Sequence, residues 1–111
     1  MISTEHAEHY IWGENCDGWH LLKREGMSVI QERVPDGAAE VMHHHERARQ
    51  FFYILEGEGT IAFEDHVVFL QKGHGLEISP MVKHQFKNEA QADVHFLVMS
   101  VPSTRGDRVN L

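Results

Sequence analysis

Short runs of apolar residues alternate with turn-forming residues along most of the chain. Glycine, proline and acidic residues interrupt the runs every 8 to 12 residues, and no segment keeps a helical period over the length of a helix. The predicted strands occupy residues 27–34, 50–55, 60–63, 67–70, 76–78, 82–86 and 94–101. Seven or more short strands at this spacing predict an all-β fold, an antiparallel sandwich or barrel.

The length favours a single domain covering residues 1–111, because a second domain would leave each half too small for its own core. Residues 1–26 mix aromatic and polar residues and are interpreted as an N-terminal arm or edge strands. Residues 27–101 hold the regular strand pattern and form the predicted barrel. Residues 102–111 are polar and are expected to lie over the barrel or to fray.

Charge and cysteine content narrow the classes of partner. The chain has 10 Lys and Arg against 17 Asp and Glu, a net charge of −7, and its basic residues are scattered, so nucleic acid is not an expected partner. No apolar run approaches the ~20 residues of a membrane span. Cys16 is the only cysteine, which excludes an intrachain disulfide and favours the cytoplasm.

Histidine is unusually frequent, with 10 residues, and three are consecutive at positions 43–45. In a strand, His43 and His45 project to one face while His44 points away. A reversal over residues 46–49 would return Gln50 beside His45, and His84 belongs to a distant predicted strand. Two imidazoles from one strand, one from another and an amide oxygen form a pattern typical of a divalent metal site with open positions.

The spacing of these residues resembles the two motifs of the cupin superfamily. The first is Gly37-x5-His43-x-His45-x4-Gln50-x6-Gly57, and the second is Gly73-x5-Ser79-Pro80-Met81-x2-His84-x3-Asn88. Three positions depart from the family pattern. Gln50 stands where glutamate is usual, Ser79 where proline is usual and Met81 where glycine is usual.

The resemblance implies a small single-domain cupin of the conserved-barrel type, an antiparallel jelly roll. It also implies that His43, His45, Gln50 and His84 bind a divalent metal inside the barrel. With Gln50 in place of a carboxylate, all the ligands are neutral and the site keeps a formal charge of +2. A neutral ligand set discriminates less in favour of hard, oxygen-preferring ions, which favours Fe, Ni, Co, Cu, Mn or Zn over Mg or Ca. Two alternatives stay open. In the first, Gln50 contacts the substrate or supports the metal ligands instead of binding the metal, and in the second, the barrel keeps its histidines without a metal.

Two functions from different classes fit this resemblance. The first is a metal-dependent enzyme, a dioxygenase or an isomerase or lyase, acting on a small oxygenated organic or sugar-like substrate. The second is a non-catalytic module that binds a small molecule. No catalytic residue is assigned, and Glu32, Tyr53 and His95 are only weak candidates for a general acid or base.

Aromatic residues supply the expected substrate contacts and the expected subunit interface. Phe52, Phe86, Phe96 and Trp19 are predicted to line the ligand pocket, although the same residues also suit a hydrophobic core. The alternate face of the strand that holds Gln50 carries Phe51, Tyr53 and Leu55. Because that face is unusually apolar for a solvent-exposed one, it indicates burial in a second sheet or in a dimer interface. The resemblance to small cupins, among which dimers are common, favours the homodimer.

Overall fold

The structure, a computed structural model, describes all 111 residues and contains eleven β-strands and no helix. The strands are β1 Glu8–Trp12, β2 Cys16–Lys23, β3 Ser28–Val34, β4 His43–His45, β5 Arg49–Glu56, β6 Glu58–Ala62, β7 Val67–Gln71, β8 Gly75–Ile78, β9 Gln85–Lys87, β10 Val94–Val101 and β11 Arg108–Asn110. The all-β prediction is confirmed. There is no helix of the length and hydrophobicity that would cross a membrane.

The strands form antiparallel sheets that enclose one hydrophobic core. Six strands pair in the order β1-β2-β3-β10-β5-β8, three in the order β7-β6-β9, and β11 pairs with β4. Phe52 and Phe96 from the larger sheet stack on Phe86 from the smaller one, with ring centroids 6.0 and 4.1 Å from Phe86. These rings close the space between the two sheets, so the barrel interior is packed at this end.

Alternation of residues along the strands separates an inner from an outer face of the six-stranded sheet. On the inner face Glu32 lies opposite Phe96, and Phe96 lies opposite Ile54. Phe96 and Ile54 are almost fully buried, as the two-residue period of a half-buried strand requires. On the outer face Phe51 and Tyr53 are 39% and 37% exposed. A one-residue shift in register would exchange the two sets.

Gly57 makes the tight turn between β5 and β6. Its φ is +87°, and a Cβ atom at this position would lie 2.5 Å from the backbone oxygen of Asp93. Both the left-handed backbone and the close approach require a residue without a side chain. Backbone geometry alone therefore explains why the last position of the first motif is glycine.

The C-terminal segment, expected to lie over the barrel or to fray, ends in a short paired strand. In β11, Arg108 lies opposite His45 and Asn110 opposite His43. Residues 82–86, expected as a strand, are irregular until Gln85, and His84 meets His43 in an isolated bridge instead. Both edges of β4 therefore pair with segments that are distant in sequence.

Met81 occupies the position where the second motif has glycine, and its backbone shows why glycine is usual. Its φ is +71°, a left-handed conformation, while its side chain is 58% exposed and its N–H donates to the oxygen of His45 at 2.7 Å. The left-handed region costs a residue with a Cβ roughly 1–2 kcal/mol.

Met81→Gly is therefore expected to stabilise the protein by about 0.5–1 kcal/mol, since relief of the backbone exceeds the entropy glycine adds to the unfolded chain. Urea unfolding measures the change. Met27→Gly is the matched control, because Met27 is also exposed but does not have a positive φ. It should lose stability. A loss of stability in Met81→Gly as well would contradict the strain argument.

Candidate metal centre

The two motifs meet at a reciprocal backbone pair between His43 and His84. The N–H of His43 donates to the oxygen of His84 at 3.0 Å, and the N–H of His84 donates back at 2.9 Å. This pair places the two rings 4.4 Å apart, and His45, two residues further along β4, adds a third ring 5.0 Å from His43. His44, between them, projects away from the cluster, as strand alternation requires.

Backbone carbonyls orient two of the three rings in the same way. Nδ1 of His43 is 2.7 Å from the oxygen of Val41, and Nδ1 of His84 is 2.9 Å from the oxygen of Val82. Because a carbonyl only accepts, each Nδ1 carries the proton and each Nε2 keeps its lone pair. Hydrogen bonding at one ring nitrogen is the usual way to present the other to a metal.

Burial keeps all three imidazoles neutral at physiological pH. It lowers the pKa of His43 to about 3 and that of His45 to about 4, and it also lowers the pKa of His84. A protonated imidazole cannot bind a metal, so low pKa values favour the binding form.

The triad fits a divalent transition metal. One nitrogen from each of His43, His45 and His84 lies within 4.8 Å of the others, and all three residues are buried. Nε2 of His84 is buried without a hydrogen-bond partner, an arrangement that costs free energy unless a cation or water satisfies it. Three imidazole ligands suit Fe, Co, Ni, Cu or Zn.

Gln50 lies at the start of β5 on the inner face, but its amide is turned partly toward another strand. Its Nε2 donates to Oγ of Ser100 at 3.1 Å, and its Oε1 is buried without a partner. The free Oε1 is the atom a metal would use. Ligation by Gln50 remains a prediction.

Gln50→Glu is expected to tighten metal binding about tenfold, because it adds a carboxylate charge to a cationic site. Ser100 can donate its hydroxyl proton to the new carboxylate, so the local hydrogen bond survives. Competition titration with a chromophoric chelator measures the affinity. Gln71→Glu, at an exposed position on β7, controls for the added charge. Equal or weaker affinity in Gln50→Glu would show that residue 50 is not a ligand.

Glu40 lies beside the triad and was not singled out in the sequence. Its Oε1 is 3.9 Å from Nε2 of His43, and its Oε2 accepts the N–H of Phe86 at 2.9 Å. Arg108 approaches the same carboxyl at 3.7 Å. Burial raises the pKa of Glu40 to about 7 against the hydrogen bond from Phe86 and the charge of Arg108. The only sequence feature that could have indicated Glu40 is its position three residues before His43.

Glu32, one of the weak acid–base candidates, points to the inside of the barrel. Burial, with the charge of Glu40 as a smaller cause, raises the pKa of Glu32 to about 8. The pKa of Tyr10 is also raised, by burial and then by Glu32. The other two candidates do not join this cluster: Tyr53 is on the outer face, and His95 lies opposite Arg33 and Glu56.

The aromatic candidates divide between the core and the surface. Phe52, Phe86 and Phe96 are buried against one another, and only Phe52 reaches the triad, with its centroid 6.1 Å from that of His84. The structure does not bring Trp19 to this group. Trp19 alternates with the inward Gly18 and lies near His9 on the outer face, with ring centroids 5.3 Å apart and ring planes inclined by 37°.

The fold and the site define a small all-β barrel with a buried histidine triad suited to a metal ion. Residues 30–100 match the family model described as "Cupin domain". The chain belongs to the cupin family, as its two motifs indicate.

The proteins that are similar to this chain differ in what their names describe. The oxalate-binding protein of Thermotoga maritima is 26% identical over 87 residues, covering 74% of this chain and 72% of the relative. The polyketide cyclase RemF from Streptomyces resistomycificus aligns with a TM-score of 0.87 at 16% identity, covering 100% and 84%. A sugar phosphate isomerase from Silicibacter pomeroyi aligns with a TM-score of 0.79 at 20% identity, covering 93% and 76%. The chain spans about two thirds of the length of the curated relatives it matches.

Proposed function

We propose that this chain is a metal-dependent cupin enzyme that acts on a small oxygenated or sugar-like substrate. The observation that carries the proposal is the buried cluster of His43, His45 and His84, whose Nδ1 protons are directed to carbonyls at two of the three rings. A divalent metal held there would polarise an oxygen of the substrate. Gln50 is proposed as a fourth ligand through its free Oε1.

Two acidic side chains, Glu40 beside the triad and Glu32 on the inner face of the barrel, favour an isomerase or lyase over a dioxygenase. Proton transfer to and from carbon needs a group that is both acid and base near neutral pH, and the raised pKa of Glu32 meets this need. The carboxyl of Glu32 would take a proton from substrate carbon and return it at another atom. Phe52, Phe86 and Phe96 would exclude water on one side of the site. Trp19, the fourth expected substrate contact, lies on the outer face and takes no part in this proposal.

Incubation of metal-loaded protein with hydroxy acids, keto acids and sugars in D₂O tests the proposal. Deuterium from solvent should appear at substrate carbon by NMR, and chelation should remove the activity. Glu32→Gln should slow incorporation by about a hundredfold or more, whereas Glu64→Gln, at an exposed site, should not. Metal-dependent oxygen uptake without deuterium incorporation would replace this reaction class with the dioxygenase class.

A non-catalytic binding module is the second candidate, supported by the similarity to an oxalate-binding protein. In that case a small molecule would raise the melting temperature without forming any product.

We further propose that the outer face of β5 forms a homodimer interface. Phe51 and Tyr53 are the exposed aromatic residues of that face, and they lie opposite Met99 and Leu97 of β10. An apolar surface of this kind is typical of a contact between subunits. The cytoplasmic location expected from the single cysteine also stays a prediction.

A further inference from the structure

A cavity lies between the β2–β3 turn and the segment that follows β10, and none of the triad histidines lines it. Its volume is about 1000 Å³. Lys23, Arg24, Arg47 and Arg105 line it, and Ser28 lies at the start of β3. These side chains come from three separate parts of the sequence, so their convergence is a product of the fold.

The cavity concentrates positive charge on an acidic protein. Four cationic side chains line it with a single carboxylate, Glu25, whereas the whole chain carries a net charge of −7. Lys23 pairs with Glu8 at 3.3 Å and Arg47 with Asp107 at 3.6 Å. Arg24 and Arg105 form no ion pair, although Nη1 of Arg24 donates to the backbone oxygen of Lys23 at 3.2 Å. Their remaining guanidinium N–H groups can contact an anion in a forked geometry.

A buried polar row connects this cavity with the inner face of the barrel. Ser28 is 5% exposed, and its hydroxyl is buried without a partner. Ser28 lies opposite Ser100 and Ser100 opposite Gln50, whose Nε2 donates to Oγ of Ser100. Because neighbouring strands are about 4.8 Å apart, the row leads from the cavity to Gln50 over roughly 10 Å.

We propose that this cavity is an anion-binding site that takes a phosphate or carboxylate group. Arg24 and Arg105 supply the charge, and the hydroxyl of Ser28 donates a hydrogen bond at the inner end. If the proposed function holds, the anionic group belongs to the substrate, and the serine row lies between that group and Gln50. The substrate class is then a small phosphorylated or carboxylated molecule.

Calorimetric titration of the full chain with inorganic phosphate and, separately, with acetate tests the site. We expect binding of at least one anion, and the anion that binds identifies the group as phosphate or carboxylate. The double variant Arg24→Gln/Arg105→Gln should weaken that binding at least about tenfold. Lys72→Gln/Lys83→Gln removes the same charge at exposed positions elsewhere and should change it less than about twofold. An equal loss in both variants, or no binding of either anion, would overturn the proposal.

A further set of titrations distinguishes this site from the metal centre. Anion binding is expected to survive chelation and to survive His84→Ala, because none of the cavity residues belongs to the triad. Loss of anion binding under either condition would place the anion at the triad and overturn the proposal. If the protein binds no metal but still binds phosphate or acetate in this cavity, only the proposed function fails.

Discussion

His84→Ala is expected to lower the affinity of the protein for a divalent transition metal by more than about a hundredfold. Loss of a residue that merely orients a metal-bound histidine costs 10–100-fold, so loss of one of three imidazoles should exceed that range. His84 is fully buried, and its Nε2 has no partner within the protein. Plasma mass spectrometry of purified protein, followed by competition titration, measures the effect.

The control for this variant is His66→Ala. His66 is solvent-exposed and pairs with Asp65, so it shares residue type but not the site. His84→Gln provides a second test that preserves more of the buried volume, since alanine leaves a cavity that destabilises the core. We expect His66→Ala to keep its metal and both His84 variants to lose it. If all of these proteins bound the same amount of metal, His84 would not be a metal ligand and the proposed triad would be wrong.

Much of the fold and the centre of the site could be predicted because they depend on short-range patterns. Strand alternation alone separated His43 and His45 from His44, and motif spacing identified His84. Even the orientation of the rings has a local signal, since Val41 and Val82 each stand two residues before the histidine they hold. A repeated Val-x-His is readable in the sequence once the role of the carbonyl is known.

The surroundings of the site could not be predicted, because they depend on segments that meet only in the fold. Glu40 is beside His43 in both sequence and space, but its burial depends on Phe86 and Arg108. Trp19 was assigned to the pocket by residue type alone, whereas its side is decided by the pairing of β1 and β2. Strand parity without a partner strand gives two faces but does not say which one is inside.

Asp107→Asn is expected to destabilise the protein by about 3 kcal/mol. The carboxylate is 4% exposed and accepts the N–H groups of Glu46, Arg47 and Ala48 at 2.9–3.2 Å, which fixes the turn between β4 and β5. An amide replaces one accepting oxygen with a donor and leaves at least one buried N–H without a partner. Asp36→Asn, at an exposed turn, should change stability by less than about 0.5 kcal/mol.

The pH dependence of this loss of stability shows whether the charge of Asp107 or the geometry of its side chain stabilises the turn. Burial alone would raise the pKa of Asp107, but the hydrogen bonds from Ala48, Arg47 and Glu46 outweigh burial and hold the pKa below its usual range. A carboxyl with a lowered folded-state pKa stabilises the protein above the unfolded pKa of about 3.9, and this contribution is lost as pH falls through the folded value. Urea unfolding from pH 7 to pH 3 should therefore show a constant difference between wild type and Asp107→Asn down to about pH 5, and a shrinking difference below about pH 4.

The buried histidines do not obscure this measurement. Their lowered pKa values make both proteins less stable in acid, because the unfolded chain binds more protons below about pH 6.5. The charge of Asp107 raises the pKa of His45, but above about pH 4 folded His45 is unprotonated in both proteins. Wild type and variant therefore share the histidine contribution down to about pH 4, where it cancels in the difference between their free energies of unfolding. A difference that stays constant down to pH 3 would mean that the geometry of Asp107, and not its charge, holds the turn that follows His45.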